Sequence, residues 1–196
     1  MEQQTAADRT RRALLQAAQA EFHRNGFQGA SLAHILHQAG VSRGGMYHHF
    51  VGKRQLGYAV VEELIGDWIR GWREELLAAG DPLAALVDWL REAPSERAVQ
   101  YGCPLNNLAL EMSPLDEGFR ERIRGVFAAW EEAIAAALER SRSLGLLRDG
   151  VEPGREARFL LASFEGGLGL AKNQQSVGRL AEHVEALIAH LEGLRA

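Results

Sequence analysis

Apolar residues recur every three or four positions along most of this chain, and the runs between breaks are long enough for helices rather than strands. Leu14, Ala18 and Phe22, with Leu15 widening the stripe, predict a helix over Thr10 to Asn25. Gly26 takes the place of a C-terminal cap, and Phe27 packs back on the last turn. Ser31 is an N-cap for a second helix with Leu32, Ile35 and Leu36 inward, ending at Ala39-Gly40 before the apolar plug Val41. Ser42 caps a third, short helix from Arg43 to Phe50. Two short helices joined by a glycine-containing turn predict a helix-turn-helix.

Beyond Gly52 the runs lengthen. Leu56, Val60, Leu64, Trp68, Trp72 and Leu76 are spaced by four and predict one helix to about Ala79. Asp81-Pro82 opens a helix over Leu83, Leu86, Val87 and Leu90, after which Pro94-Ser95 predicts a loop. Cys103-Pro104 starts a short helix over Leu105, Leu108 and Met112, closed by Ser113-Pro114. Phe119, Ile123, Phe127, Trp130, Ile134 and Leu138 predict a long helix from Asp116 to Ser143. The helix from Arg155 to Gln175 contains Ser163, Gly166, Gly167 and Gly169. Each mid-helix glycine costs about 1 kcal/mol against alanine, so the cluster predicts close approach by another helix or a ligand. Leu180, Val184, Leu187, Leu191 and Leu194 then form a heptad seam of about two heptads. The expected fold is all-α, about nine helices, with a three-helix helix-turn-helix domain over residues 1–51 and a helical body over 52–196.

Composition supports that reading. Hydrophobic residues make up 46% of the 196 positions, enough for a real core, and only 5 are prolines. No apolar run is long enough to cross a bilayer and the lone Cys103 has no internal partner, so a cytoplasmic protein is expected with no membrane association. The net charge of -4 hides an asymmetry. The first sixty residues hold seven Lys or Arg against three acids, and the remainder fifteen against twenty-three. A basic head on an acidic body is the pattern expected when one part faces phosphates.

The second helix of a helix-turn-helix enters the major groove with its N-terminal residues at the base edges, which demands small residues at the tip. Here the tip is Ser42-Arg43-Gly44-Gly45. Arg43 is the candidate for a bidentate contact to guanine or for phosphate. Tyr47 and His48, one turn on, can donate to phosphate oxygens. Lys53 adds a cation at a helix start, and Ser31 can cap its helix while donating to phosphate. Met46, His49 and Phe50 are expected to pack. The histidines lack Cys, Asp or Glu beside them, so no metal site is expected, and no cofactor motif occurs.

The stretch Ser31-Leu32-Ala33-His34-Ile35-Leu36-His37-Gln38-Ala39-Gly40-Val41-Ser42-Arg43-Gly44-Gly45-Met46-Tyr47-His48-His49-Phe50, followed by Lys53 and Leu56, resembles the DNA-binding signature of TetR/AcrR-type transcriptional regulators. The resemblance covers residues 8–60 by motif and the rest by architecture. It implies a DNA-binding regulator, commonly a repressor, with a C-terminal ligand and dimer domain. It also implies DNA contact at Ser31, Ser42, Arg43, Tyr47, His48 and Lys53. His34 stands where the family often has an acid, and His48 where an aromatic is frequent.

A homodimer would place two heads about one DNA turn apart on a palindromic operator. The expected dimer residues are Ser163, Gly166, Gly167, Leu180, Val184, Leu187 and Leu191, as a four-helix bundle across a two-fold axis. Trp68, Trp72, Phe127, Trp130 and Phe164 are candidates to line a cavity for a small apolar or electrophilic inducer. The passage Tyr101 to Ala109 resembles an element of a TetR subgroup, some members of which sense electrophiles or oxidants. Cys103, at a helix start where the dipole favours a thiolate, is therefore either a sensor or a structural thiol, with Lys172 a possible neighbouring cation. Two other classes stay open: an enzyme using Glu111, Glu165, His183 and Cys103, which no motif links, and a helical ligand carrier without DNA binding.

Overall fold

The computed structural model describes residues 5–196. Its helices are α1 (Ala6–Gly29), α2 (Leu32–Ala39), α3 (Arg43–Tyr47), α4 (Lys53–Ala59), α5 (Asp67–Ala78), α6 (Pro82–Glu92), α7 (Glu96–Tyr101), α8 (Pro104–Met112), α9 (Glu117–Ser143), α10 (Pro153–Gln174) and α11 (Val177–Glu192), with a π-helical segment, Val60–Gly66, between α4 and α5. The all-α expectation holds. Two compact units form, and neither is a single stretch of chain. One takes in the described residues up to Asp67 together with Pro104–Val126, and the other Trp68–Cys103 with Phe127–Ala196.

In the first unit α1 starts earlier than predicted, because Thr5 and Asp8 form a reciprocal capping box. Gly26, at φ 72, interrupts the helix where a cap was expected. Leu14, Ala18 and Phe22 of α1, Ile35 and Leu36 of α2, Met46 of α3 and Phe119 of α9 are all buried. The Phe119 ring meets Phe27 at 4.7 Å and Tyr58 at 4.8 Å, both edge-on. The third helix is shorter than predicted, ending at Tyr47 with His48 and His49 in a turn.

The four-residue stripe predicted from Leu56 to Leu76 does not keep one face. Leu56 and Val60 are buried as expected, but beyond them the buried positions are Val61, Ile65, Ile69, Trp72 and Leu76, and Trp68 is 51% exposed. The physical reason is the π-helical segment. Its i→i+5 bonds accommodate one extra residue, so the inward face slips by one position.

In the second unit Asp81 caps α6 as predicted, accepting from the Ala84 N–H at 2.9 Å, and also pairs with Arg195 at 2.9 Å. The expected loop after Pro94 contains α7 instead, capped by Ser95, whose hydroxyl accepts from the Ala98 N–H. On α11 the side chains of Leu180, Val184, Leu187 and Leu191 are all buried inside the single chain. Gly167 is likewise engaged internally: a Cβ there would lie 1.9 Å from the His183 ring, which donates to the Ser163 carbonyl at 2.7 Å. Gly166 faces solvent with nothing near it.

Gly57 gives a direct test of this packing. A Cβ there would lie 2.6 Å from Phe119 and 2.7 Å from Phe27, both buried rings. Gly57→Ala therefore destabilises the protein by about 1–3 kcal/mol in urea unfolding, despite the better helix propensity of alanine.

Candidate nucleic-acid interface

Two serines set the reading head. Ser31 caps α2 by accepting from the His34 N–H at 3.3 Å, and Ser42 caps α3 by accepting from the Gly45 N–H at 3.1 Å. Between them Gly40, at φ 65, closes α2 in the left-handed conformation, and the Val41 N–H donates back to the Leu36 carbonyl. Met46 and Phe50 anchor α3 inward. Ser31, Ser42, Arg43, Gly44, Tyr47 and His48 are all left exposed. Among the described residues the Arg43 guanidinium makes no ion pair or hydrogen bond, so its five donors face outward unassigned.

The two tip glycines differ in their reasons. At Gly45 a Cβ would crowd Val41 at 3.1 Å and Ser42 at 3.3 Å, so the turn itself needs glycine. At Gly44 the nearest atom would be 4.0 Å away. Nothing inside the protein requires glycine there, and the position is open to an approaching surface.

Lys53 has a different occupation from the one expected. Its ammonium donates to the carbonyls of Phe27, Gln28 and Ala30 at 2.8, 3.2 and 3.0 Å and lies over the Phe27 ring. An ammonium has three donors, and all three point into the protein. The other side of the same segment is held by Glu111 of α8, whose carboxylate accepts from the Phe27 N–H at 2.7 Å and the Gln28 N–H at 2.8 Å. A Cβ at position 26 would lie 2.9 Å from that carboxylate, which with the positive φ explains Gly26. Residues 26–30 are thus gripped by an anion on their N–H side and a cation on their C=O side, immediately before Ser31.

Further polar ties set α1 against its neighbours. Arg11 forms a two-bond pair with Glu63 and its guanidinium lies 4.4 Å from the centre of the Phe50 ring. Glu21, buried, accepts from the Ser31 N–H at 3.0 Å and pairs with His34 at 2.6 Å. Burial alone would push the Glu21 carboxyl up, but the Ser31 N–H and His34 outweigh it and hold the carboxyl below its usual range. The Tyr58 hydroxyl donates to Asp116 at 2.7 Å, and together with the Phe119 N–H it lowers the Asp116 carboxyl. Arg11 and Glu21 were not among the expected site residues, and Glu111 was named only for the enzyme alternative. Glu21 carried a legible signal, an acid on the inward stripe of α1 seven residues after Leu14.

In the second unit the expected cavity residues come together. Trp68 stacks on Trp72 at 6.0 Å, Trp72 meets Trp89 at 5.0 Å, and Trp89 meets both Trp130 and Phe164, while Phe127 stacks on Trp130. The Cys103 thiol is partly exposed and in no disulfide, and Lys172 lies in the last turn of α10. Among the described residues no group of His, Cys, Asp and Glu could hold a metal ion, and no helix is long and apolar enough to cross a membrane.

Two family profiles match this chain. Residues 14–60 match bacterial regulatory proteins of the tetR family, and residues 79–186 match the LmrA/YxaF-like transcriptional regulator C-terminal domain. An uncharacterized HTH-type transcriptional regulator in the lacX 3' region of Lactococcus lactis is 29% identical over 187 residues, covering 93% of each chain. The transcriptional repressor NemR of Escherichia coli is 28% identical over 196 residues, covering 95% of this chain and 94% of its own. The crystal structure of E. coli NemR in its reduced form superposes with a TM-score of 0.80 over 95% of this chain and 97% of that one, at 27% identity. A TetR transcriptional regulator from Chloroflexus aurantiacus gives 0.79 at 26% identity, over 96% and 97%.

The grip on residues 26–30 predicts that Glu111→Ala leaves the Phe27 and Gln28 N–H groups without their acceptor. It lowers stability by about 1–3 kcal/mol in chemical denaturation. The depressed Glu21 carboxyl predicts a pH effect. Its stabilisation is complete above the unfolded value of 4.5 and is lost as pH falls through the lower folded value. Glu21→Gln therefore lowers the melting temperature near neutral pH and flattens its decline on acidification, read by calorimetry across that range.

Proposed function

From the chain's membership of the TetR family of DNA-binding transcriptional regulators, we propose that it is an effector-released repressor, acting in the cytoplasm on a palindromic operator as a homodimer. The observation that carries the reading is the exposed tip of α3. Arg43 extends from a helix start where Ser42 caps the Gly45 N–H, beside a Gly44 that nothing in the protein requires. A backbone free of Cβ atoms lets the helix sit deep, Arg43 reads a base edge or phosphate, and Ser31, Ser42, Tyr47 and His48 bond phosphate oxygens. Lys53 acts through the Phe27–Ala30 carbonyls that it holds. The relatives named repressors, NemR and DhaR of a Mycobacterium species, favour repression.

Because the α11 seam is buried within one chain, the dimer face of this proposal is the exposed side of α10, along Phe159, Ala162, Gly166 and Leu170. These residues fall on one helical face and present two large apolar side chains beside small ones. The ring cluster from Trp72 to Phe164 is the receptor for a small effector whose binding lowers operator affinity.

A second reading adds thiol chemistry. Cys103 is partly exposed and directly precedes the α8 that carries Glu111, and the E. coli relative of known structure is described in a reduced form. Alkylation of Cys103 by iodoacetamide then releases the operator from the unaltered protein but not from Cys103→Ser.

Selection of bound sequences from random duplex DNA yields an inverted repeat, and binding weakens steeply as salt rises. Arg43→Ala weakens operator binding about tenfold to a hundredfold without moving the melting temperature. Lys53→Ala does the reverse in order: it lowers the melting temperature first, and DNA affinity only as a consequence. Equal affinity of the Arg43→Ala and unaltered proteins would remove the α3 reading. Gly166→Arg, which meets nothing inside the protomer, gives a folded monomer by sedimentation with weakened operator binding.

A further inference from the structure

All 4 tryptophans of the chain lie in the ring cluster of the second unit. Its outer end is the half-exposed Trp68, and its inner end is Trp130, 5% exposed and in contact with Trp89, Phe127 and Phe164. The Trp130 indole Nε1–H is buried and donates to no acceptor among the described residues. An indole N–H is a donor only, and buried ones ordinarily find a partner. A buried donor left without one lowers stability, so its retention calls for an explanation outside folding.

Next to it lies an apolar cavity of ≈ 20 Å³, room for about one water-sized body. Trp89 and Phe164 line this cavity and also touch the Trp130 ring, so that ring packs against two of the cavity's walls. The rest of the lining is leucine and isoleucine, including Leu86, Leu90, Ile134 and Leu160, and no lining residue carries a charge.

We infer that this cluster receives an uncharged aromatic carbonyl compound, with its ring between Trp89 and Phe164 and its carbonyl oxygen accepting from Trp130 Nε1. The inference rests on the reading that the second unit takes an effector, and it assigns the chemistry of that effector. The absence of charge in the lining rejects an ion, which would be buried without a counter-charge. Flat rings meeting at tilted and edge-on angles favour a flat guest. The indole N–H is one donor and selects one acceptor. The cavity is smaller than a benzene ring, so the guest displaces Trp89 and Phe164 on entry.

The test compares acetophenone with α-methylstyrene, which has the same shape with a methylene in place of the carbonyl oxygen. Titration calorimetry on the full chain and on Trp130→Phe completes a thermodynamic cycle in which any general loosening by the substitution cancels. Loss of the indole donor weakens acetophenone about tenfold relative to α-methylstyrene. On the unaltered protein, acetophenone moves the Trp130 indole proton downfield in an NMR spectrum and α-methylstyrene does not. This arm decides alone if Trp130→Phe fails to fold. Equal weakening of both ligands, an unmoved indole proton, or no binding of either overturns the inference. Gel retardation separates it from the regulatory reading: ligand bound with the Trp130 preference but operator retained supports the site and removes the effector role.

Discussion

The geometry of the DNA-facing end depends on how a five-residue stretch of backbone is held. Residues 26–30 leave α1 at a positive-φ glycine and must deliver Ser31 at the start of α2. A helix terminus leaves N–H and C=O groups without intrahelical partners. Glu111 takes the Phe27 and Gln28 N–H groups and Lys53 the Phe27, Gln28 and Ala30 carbonyls, so half of the stretch's backbone polar atoms meet a charge of the right sign. Ionised partners make the stronger class of hydrogen bond. The arrangement also fixes three elements at once, because α1, α4 and α8 each contribute one party to it. Ser31, Gly40 and Ser42 then propagate that placement, cap by cap, to Arg43.

Much of this was legible beforehand, for a physical reason. Caps, positive-φ glycines and helix starts are local, and Ser31, Gly40, Ser42, Asp81 and Gly26 do in the structure what their types predict. Side-chain direction is not local. Lys53 sits at a helix start, as expected, but whether its ammonium meets solvent or three carbonyls depends on a segment 23 to 26 positions earlier in the chain. Glu111 is separated from its partners by more than eighty positions, and its residue type alone names no role. The α11 seam shows a different ambiguity. Leucines at alternating spacings of four and three suit a partner helix in another chain and one in the same chain equally well, and only burial separates them. Gly167 was read correctly as a place of close approach, and the approaching group is His183 of the neighbouring helix.

The two units solve opposite problems with their interiors. The first fills its core with rings in edge-on contact and places every buried acid against a donor, as Glu21 and Asp116 show. That satisfies the demands of a rigid platform, on which the proposed reading by Arg43 depends. The second gathers most of its aromatic surface in one place, beside a small void and an unmatched indole donor. Those features are what the proposed effector site rests on.

The π-helical segment at Val60–Gly66 carries a lesson about how such chains diversify. One residue more than an α-helical turn would use sends Trp68 to the surface and Ile69 to the core, though neither side chain differs from what an uninterrupted helix would carry. A lone codon gained at that point therefore readdresses every downstream position by about 100°, an outcome that point substitution could reach only through several coordinated exchanges.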